Sequence, residues 1–170
     1  MKKITIVLFV LIAFFVAGCL SDHNQNNEPS GKIPARQLTL YFANKDLTKV
    51  IAEKHEVAPE NYTMQAAVEL LIAGPKSDAL QRLFPRGVKC IGVKNDKGVV
   101  TVDFNDALRL VKTQLGSGGQ LLLVGALANT LTEFEGVTAI RIAIDGKPLK
   151  VLWEMDLSEP IGRSDELIEK

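Results

Sequence analysis

With 170 residues, 46% of them hydrophobic and 24% charged, the chain has an ordinary globular composition, sized for one domain plus a smaller segment. Twenty basic residues balance twenty acidic ones, and no basic stripe with interleaved aromatics occurs, which excludes nucleic acid as a partner. The two cysteines and two histidines have no zinc spacing, and the sequence calls for neither metal nor other cofactor.

Residues 1–18 have the layout of a signal peptide: Lys2 and Lys3, an apolar run over 4–16, and the small residues Ala17 and Gly18 before Cys19. The run is shorter than the ~20 apolar residues of a membrane span. Val16-Ala17-Gly18-Cys19 resembles the lipobox of bacterial lipoproteins. That resemblance implies lipidation of the Cys19 thiol and attachment at the extracytoplasmic face of a bacterial cell membrane. Each buried methylene of a lipid chain contributes ~0.8 kcal/mol, and two or more chains anchor stably. Residues 19–37 are then the lipidated cysteine and a tether, polar, Asn-rich and proline-marked, with too little apolar area to fold. With Cys19 lipidated, Cys90 has no disulfide partner and reads as a small hydrophobe on a strand.

The globular part occupies residues 38–157. Residues 37–43 alternate Leu38, Leu40 and Phe42 against Thr39 and Tyr41, the period of a strand. Residues 48–57 fit strand or helix, with a hairpin partner to the first strand preferred. Thr63 is placed to cap a helix whose apolar face is Met64, Val68, Leu71 and Ile72, and Gly74-Pro75 ends it. Leu80, Leu83 and Phe84 suggest a short helical turn. Residues 88–94 and 99–104 are a hairpin about Asn95-Asp96-Lys97-Gly98. A short irregular or helical piece over Leu108 and Leu110 follows.

Residues 116–119 read as a flexible loop, and Ser117 with Gln120 fits a capping box for a long apolar helix. On that helix Leu131 and Phe134 are expected inward, with Asn129, Thr132 and Glu133 outward. Glu135-Gly136 stops it. Residues 138–145 then alternate Ile140, Ile142 and Ile144 against Ala139, Arg141 and Ala143, and Asp145-Gly146 turns the chain so that residues 149–152 can pair back. Residues beyond 154 are increasingly polar, and 158–170 read as a surface tail. The sum is an α+β two-layer sandwich, a small mixed β-sheet with two main helices on one face.

Several pieces in this order resemble the GerMN domain of spore germination and sporulation lipoproteins. They are Leu40-Tyr41-Phe42, Glu69-Leu70-Leu71 through Ala73-Gly74-Pro75, Phe84-Pro85-Arg86-Gly87-Val88-Lys89, residues 98–104, residues 128–134 and residues 137–146. The resemblance spans about residues 38–157, room for one such domain where tandem members carry two. It implies a fold like that of ring-building domains, a part in envelope assembly and no enzymatic activity.

The residues offer little chemistry of their own. Asp103 and Asp106 are closely spaced carboxylates in a turn-rich stretch, a pattern of acid–base pairs but also of local caps. Asn129 and Thr130 can meet a ligand or bond nearby backbone, and Arg141 and Asp145 read as solvated. The glycine loop before the long helix lacks the preceding strand and Lys-Ser/Thr of a phosphate-binding loop, and His55 stands in no triad context. No residue is assigned a catalytic role. The expectation is a non-enzymatic binding or assembly module whose interaction surface draws on Asn129, Thr130, Arg141 and Asp103. Its partner is another envelope protein or a second copy of itself. The alternative is a peptidoglycan or small-ligand binder using Tyr41, Tyr62 or Trp153, and an envelope hydrolase ranks last.

Overall fold

The computed structural model describes residues 34–170, the side chain of Lys112 excepted; the signal segment, Cys19 and most of the tether lie outside the described residues. Strand β1 (Arg36–Asn44) and β2 (Val50–Val57) form an antiparallel hairpin in which Leu38 faces His55 and Phe42 faces Ile51. The ambiguous stretch over 48–57 is thus a strand. The alternation of β1 marks its inner face correctly, but Tyr41 and Ala43 on the other face are buried as well, so both sides of the strand are covered.

Helix α1 (Met64–Ala73) starts where Thr63 accepts a hydrogen bond from Ala66 N and stops at Gly74, whose φ of 97° suits a residue without Cβ. The turn expected over 80–84 is absent. Leu80 and Gln81 form β3 (Leu80–Gln81), which pairs with the end of β1, while Leu83 and Phe84 enter the core as irregular chain. Strands β4 (Cys90–Asp96) and β5 (Val99–Phe104) make the expected hairpin. Its two turn residues, Lys97 and Gly98, both have positive φ, the backbone twist that joins antiparallel strands tightly. Gly98 has no substitute there, because a Cβ would stand 2.6 Å from Gly136 O.

Helix α2 (Val111–Leu131) follows a 3-10 turn over Asp106–Leu110 and leads into β6 (Ala139–Ile144), which runs parallel to β5. A parallel pair needs a crossover of this length. The expected loop over 116–119 is helical, and the break is confined to Gly116, with φ 66° and ψ −173°. The cap position therefore falls on Gly116 and Ser117 is already helical, a correction to the Ser117–Gln120 capping box. Residues 122–131 are all buried, as a helix apolar on every side requires.

After β6, Asp145-Gly146 turns the chain into β7 (Lys147–Pro148), and β8 (Val151–Leu152) and β9 (Met155–Asp156) form a small separate hairpin. The strands divide into ladders in the order β2-β1-β3 and, with β10 (Ile161–Gly162), β10-β6-β5-β4. The α+β class with a mixed sheet and two main helices is what the chain adopts, although its strands do not form one continuous sheet. One core runs through both ladders and α2, with Leu40, Phe42, Phe104, Leu123, Leu127 and Ile140 among its fully buried side chains. Each contributes roughly 1.5–3 kcal/mol by leaving water.

The polar C-terminal segment is the largest departure from expectation. It is not a frayed tail. Ile161 pairs with Ile140 as β10, Asp165–Leu167 form a 3-10 turn, and Ile168 bridges to Val50 at the edge of β2. Gly125 makes room for it, since the leucine side chain of Leu167 fills the volume a Cβ there would need, its Cδ1 2.4 Å away. We call residues 161–168 the strap.

Candidate functional site

The residues singled out from the sequence are not gathered at one place. Asp103, on the outward face of β5, accepts Gly146 N with both carboxylate oxygens at 3.0 Å and so fixes the β6–β7 turn. Asp106 pairs with the Arg109 guanidinium at 2.7 Å, both exposed, one helical turn apart. Arg141 donates to Ser158 O at 2.9 Å. Asn129, expected outward, and Thr130 are both fully buried, and of the two readings open for the pair, a ligand contact or bonds to backbone, the structure has the second. Thr130 Oγ1 accepts Tyr41 N at 3.1 Å, taking the place of a neighbouring strand at that edge of β1. Asn129 pairs with Ser164 through both ends of its amide, donating to Ser164 O and accepting from Ser164 N. Neither residue offers a free surface: Thr130 ties α2 to β1, and Asn129 seats the strap.

The strap's main polar anchor, Arg163, was missed in the sequence. Its guanidinium donates to Tyr41 Oη, Glu133 Oε1, Asp165 Oδ1 and Asn129 O at 2.7–3.3 Å. Burial favours losing the proton, but the bonds to Tyr41, Asp165 and Glu133 outweigh it and raise the pKa. Burial, together with Glu133, pushes the Tyr41 phenol up against the lowering pull of Arg163. Both groups therefore hold their protons throughout the physiological range. They join two parts of the chain.

A second polar cluster sits on β2. His55 is 2% exposed, with Nε2 2.5 Å from Glu53 Oε1 and its ring against Phe42. Nδ1 is buried without a hydrogen-bond partner. Glu53 also accepts Lys76 N at 3.0 Å and Ser77 N at 2.9 Å, which ties down the loop after α1. Burial would raise the Glu53 pKa, but the hydrogen bonds from Lys76, His55 and Ser77 hold it below the usual carboxylate range. Cys90 is half-buried beside Gln65, and burial, with Glu69 nearby, raises its thiol pKa, the reverse of what a nucleophilic thiolate needs. Among the described residues no three His, Cys, Asp or Glu side chains are grouped to hold a metal.

The aromatic residues divide. Tyr41 is buried, and Tyr62 lies under the Arg36 guanidinium at 3.4 Å and against Phe134. Trp153 is 43% exposed at the tip of the β8–β9 hairpin, with a φ of 60°. A left-handed backbone costs a non-glycine residue roughly 1–2 kcal/mol, so this position keeps a tryptophan against its local preference. Val151 is also exposed, and Arg109 lines the same hollow of about 100 Å³.

With the geometry established, comparison with known proteins gives a consistent result. Residues 39–150 match the family model described as Germane, sporulation and spore germination. No curated protein matches the chain. Among solved structures, the fold is similar to the first GerMN domain of the sporulation protein GerM from Bacillus subtilis. That match has a TM-score of 0.64 at 20% identity and covers 75% of this chain and 98% of that domain. The tandem GerMN domains of the same protein match with a TM-score of 0.60 at 19% identity; 77% of this chain aligns, spanning 45% of the tandem. A Clostridium perfringens protein described as a lipoprotein matches with a TM-score of 0.53 at 22% identity, over 78% of this chain and 91% of that one.

Proposed function

The chain belongs to the Germane family, and on that premise we propose that it is a membrane-anchored extracytoplasmic lipoprotein, a non-enzymatic docking module of the bacterial cell envelope that serves sporulation or germination. One observation carries the non-enzymatic part. The polar side chains that the sequence offers for chemistry are engaged in holding the fold: Asp103 on Gly146, Thr130 on Tyr41, Asn129 on Ser164 and Arg141 on Ser158. A general acid or base needs a reach to substrate that such groups lack. The lipid anchor rests on the Val16-Ala17-Gly18-Cys19 motif and on the likeness to a clostridial protein described as a lipoprotein. The glycan alternative is weakened, because a stacking platform from Tyr41, Tyr62 and Trp153 keeps only Trp153 as a well-exposed ring.

The anchor is tested by metabolic labelling with a fatty-acid analogue in a host that processes lipoproteins. The chain is expected to take up label and fractionate with membranes, and Cys19→Ala to abolish both; an unlabelled wild-type chain refutes anchoring. The docking role is tested by crosslinking in cells alongside co-sedimentation of residues 20–170 with peptidoglycan. A discrete protein adduct without saturable pelleting is the expected result. Hydrolysis of a wall substrate that Asp103→Asn with Asp106→Asn abolishes would overturn it.

A further inference from the structure

Strand β2 is the end strand of the β2-β1-β3 ladder. Its pairing with β1 runs without a register shift from Arg36–Val57 to Ala43–Val50, and Asn44 N donates to Lys49 O just beyond. Backbone groups alternate in direction along an antiparallel strand. Ile51, Glu53, His55 and Val57 therefore bond to β1, and Val50, Ala52, Lys54 and Glu56 turn their N–H and C=O groups the other way. The strap closes this edge only at its start, where Ile168 bridges to Val50 and Glu169 N donates to Val50 O. From Ala52 to Glu56 the outward backbone groups have no partner among the described residues, and Ala52, Lys54 and Glu56 are exposed. By contrast β4, an end strand of the other ladder, carries a bulge between Cys90 and Gly92, a device that spoils an edge for pairing.

We propose that this edge pairs with the same edge of a second copy of the chain, antiparallel about a two-fold axis at His55. The inference rests on the docking reading above and deepens it by naming the partner. Only the outward-bonding residues can pair across, so the axis passes through a residue, and each choice sets a different pattern of charge. An axis at Lys54 or at Glu56 puts like charges directly opposite each other. One at Glu53 runs Glu56 of the copy into Val50, where the strap already sits, and one at Val57 runs past the end of the strand. At His55 the edge is self-complementary: Lys54 meets Glu56 of the copy, Glu56 meets its Lys54, and the exposed side chains share one face. His55 itself, 2% exposed, turns inward under its own domain. Glu53 also faces inward and is engaged by His55, Lys76 N and Ser77 N. Beside the outward face, β1 offers Gln37, Thr39 and Tyr41, and the next charges along the edge, Lys49 and Glu60, lie beyond the paired residues. A lysine on an edge deters an arbitrary strand, whereas this one admits a strand with an acid opposite it.

So short a ladder makes a small contact, and the pairing is read by trapping it. Two differently tagged full-length chains are made in the same cells in a Cys90→Ser background, one with Lys54→Cys and the other with Glu56→Cys, and exposed to a mild oxidant. The mixed disulfide is expected to exceed that of either variant alone by about tenfold, because the register sets Lys54 against Glu56 and holds like positions apart. Cys19, common to every chain, is subtracted by the single-variant controls. The Glu56–Lys54 pair that remains tests the charges. Lys54→Glu in the Glu56→Cys chain should lower trapping roughly fivefold, and Glu56→Lys added to the Lys54→Cys chain should restore it. Absence of the mixed disulfide, equal trapping by each variant alone, or indifference to the charge swap overturns the proposal. A disulfide from these positions to a different protein overturns it as well and leaves the docking reading standing.

Discussion

Helix α2 and the strap both close on the β1–β2 hairpin, and they are held there by different forces. The helix presents ten consecutive buried residues over 122–131, most of them apolar. Its attachment is non-directional and scales with the area removed from water. The strap contributes Ile161, Leu167 and Ile168 as partly buried contacts and relies otherwise on directed bonds, Arg163 to Tyr41 and Glu133 and Ser164 to Asn129, with Glu169 N to Val50 O just beyond its end. Area is forgiving of small shifts, whereas a guanidinium fork fails when its acceptors move. The two segments should therefore respond differently to substitution, with α2 governing whether the domain folds and the strap governing whether its C-terminal edge stays closed.

The largest effect is expected in the helix. Leu127→Ala opens a cavity beneath fully buried neighbours and should cost about 2–5 kcal/mol in urea unfolding. A loss under 1 kcal/mol would mean that α2 is less central than its burial says. Arg163→Ala comes next. It leaves Glu133 and the Asn129 carbonyl short of a donor and should cost about 1–3 kcal/mol, with faster amide exchange over 161–168 than over β5 and β6. Arg163→Lys should recover only part of this, because an ammonium cannot span the same acceptors.

Glu53→Gln probes a third kind of attachment, the carboxylate that holds the loop after α1. Its folded pKa is lowered, so its contribution is full above the ordinary glutamate value of about 4.3. That contribution is lost as pH falls through the lower folded value. The stability gap between wild type and Glu53→Gln should therefore be constant near neutrality and close in acid; a gap that widens in acid contradicts this assignment.

Gly125→Ala should have the smallest global effect and the most selective local one. Alanine favours the helix by up to ~1 kcal/mol, but its Cβ displaces the flexible end of Leu167. The thermal midpoint should move little while the strap loses exchange protection. Equal protection in both proteins would show that Leu167 repacks without loosening the strap.

Particular elements show why some of this was legible and some was not. The β4–β5 hairpin was readable because Asp96-Lys97-Gly98 demands a tight turn between alternating apolar residues, and the α1 boundaries because Thr63 and Gly74 act on their immediate neighbours. The 80–84 stretch was misread since Leu80, Leu83 and Phe84 have helical spacing, yet β1 offers an open edge that only the fold creates. The loop at 116–119 was misread because three glycines suggest disorder, while packing kept all but Gly116 helical. Of the candidate site residues, Asp103 and Arg141 fell on the outward face as their alternation indicates. Asn129 did not, and although bonds to backbone were one reading of Asn129 and Thr130, nothing near them in the sequence announces that Ser164 and Tyr41 are the partners. Arg163, in a polar run, carried no signal at all.

The sequence by itself determined the class of fold, the order of its main helices and strands, and the β1–β2 and β4–β5 hairpins, because periodicity and turn chemistry act over a few residues and repeat along the chain. Tertiary structure alone decided that the strands split into separate ladders, that the polar C-terminus docks as a strap, and that Trp153 rather than Asn129 or Thr130 faces outward. Those outcomes depend on single directed contacts between residues 35–122 positions apart, such as Ser164 with Asn129 and Arg163 with Tyr41, and no local pattern encodes a partner at that distance.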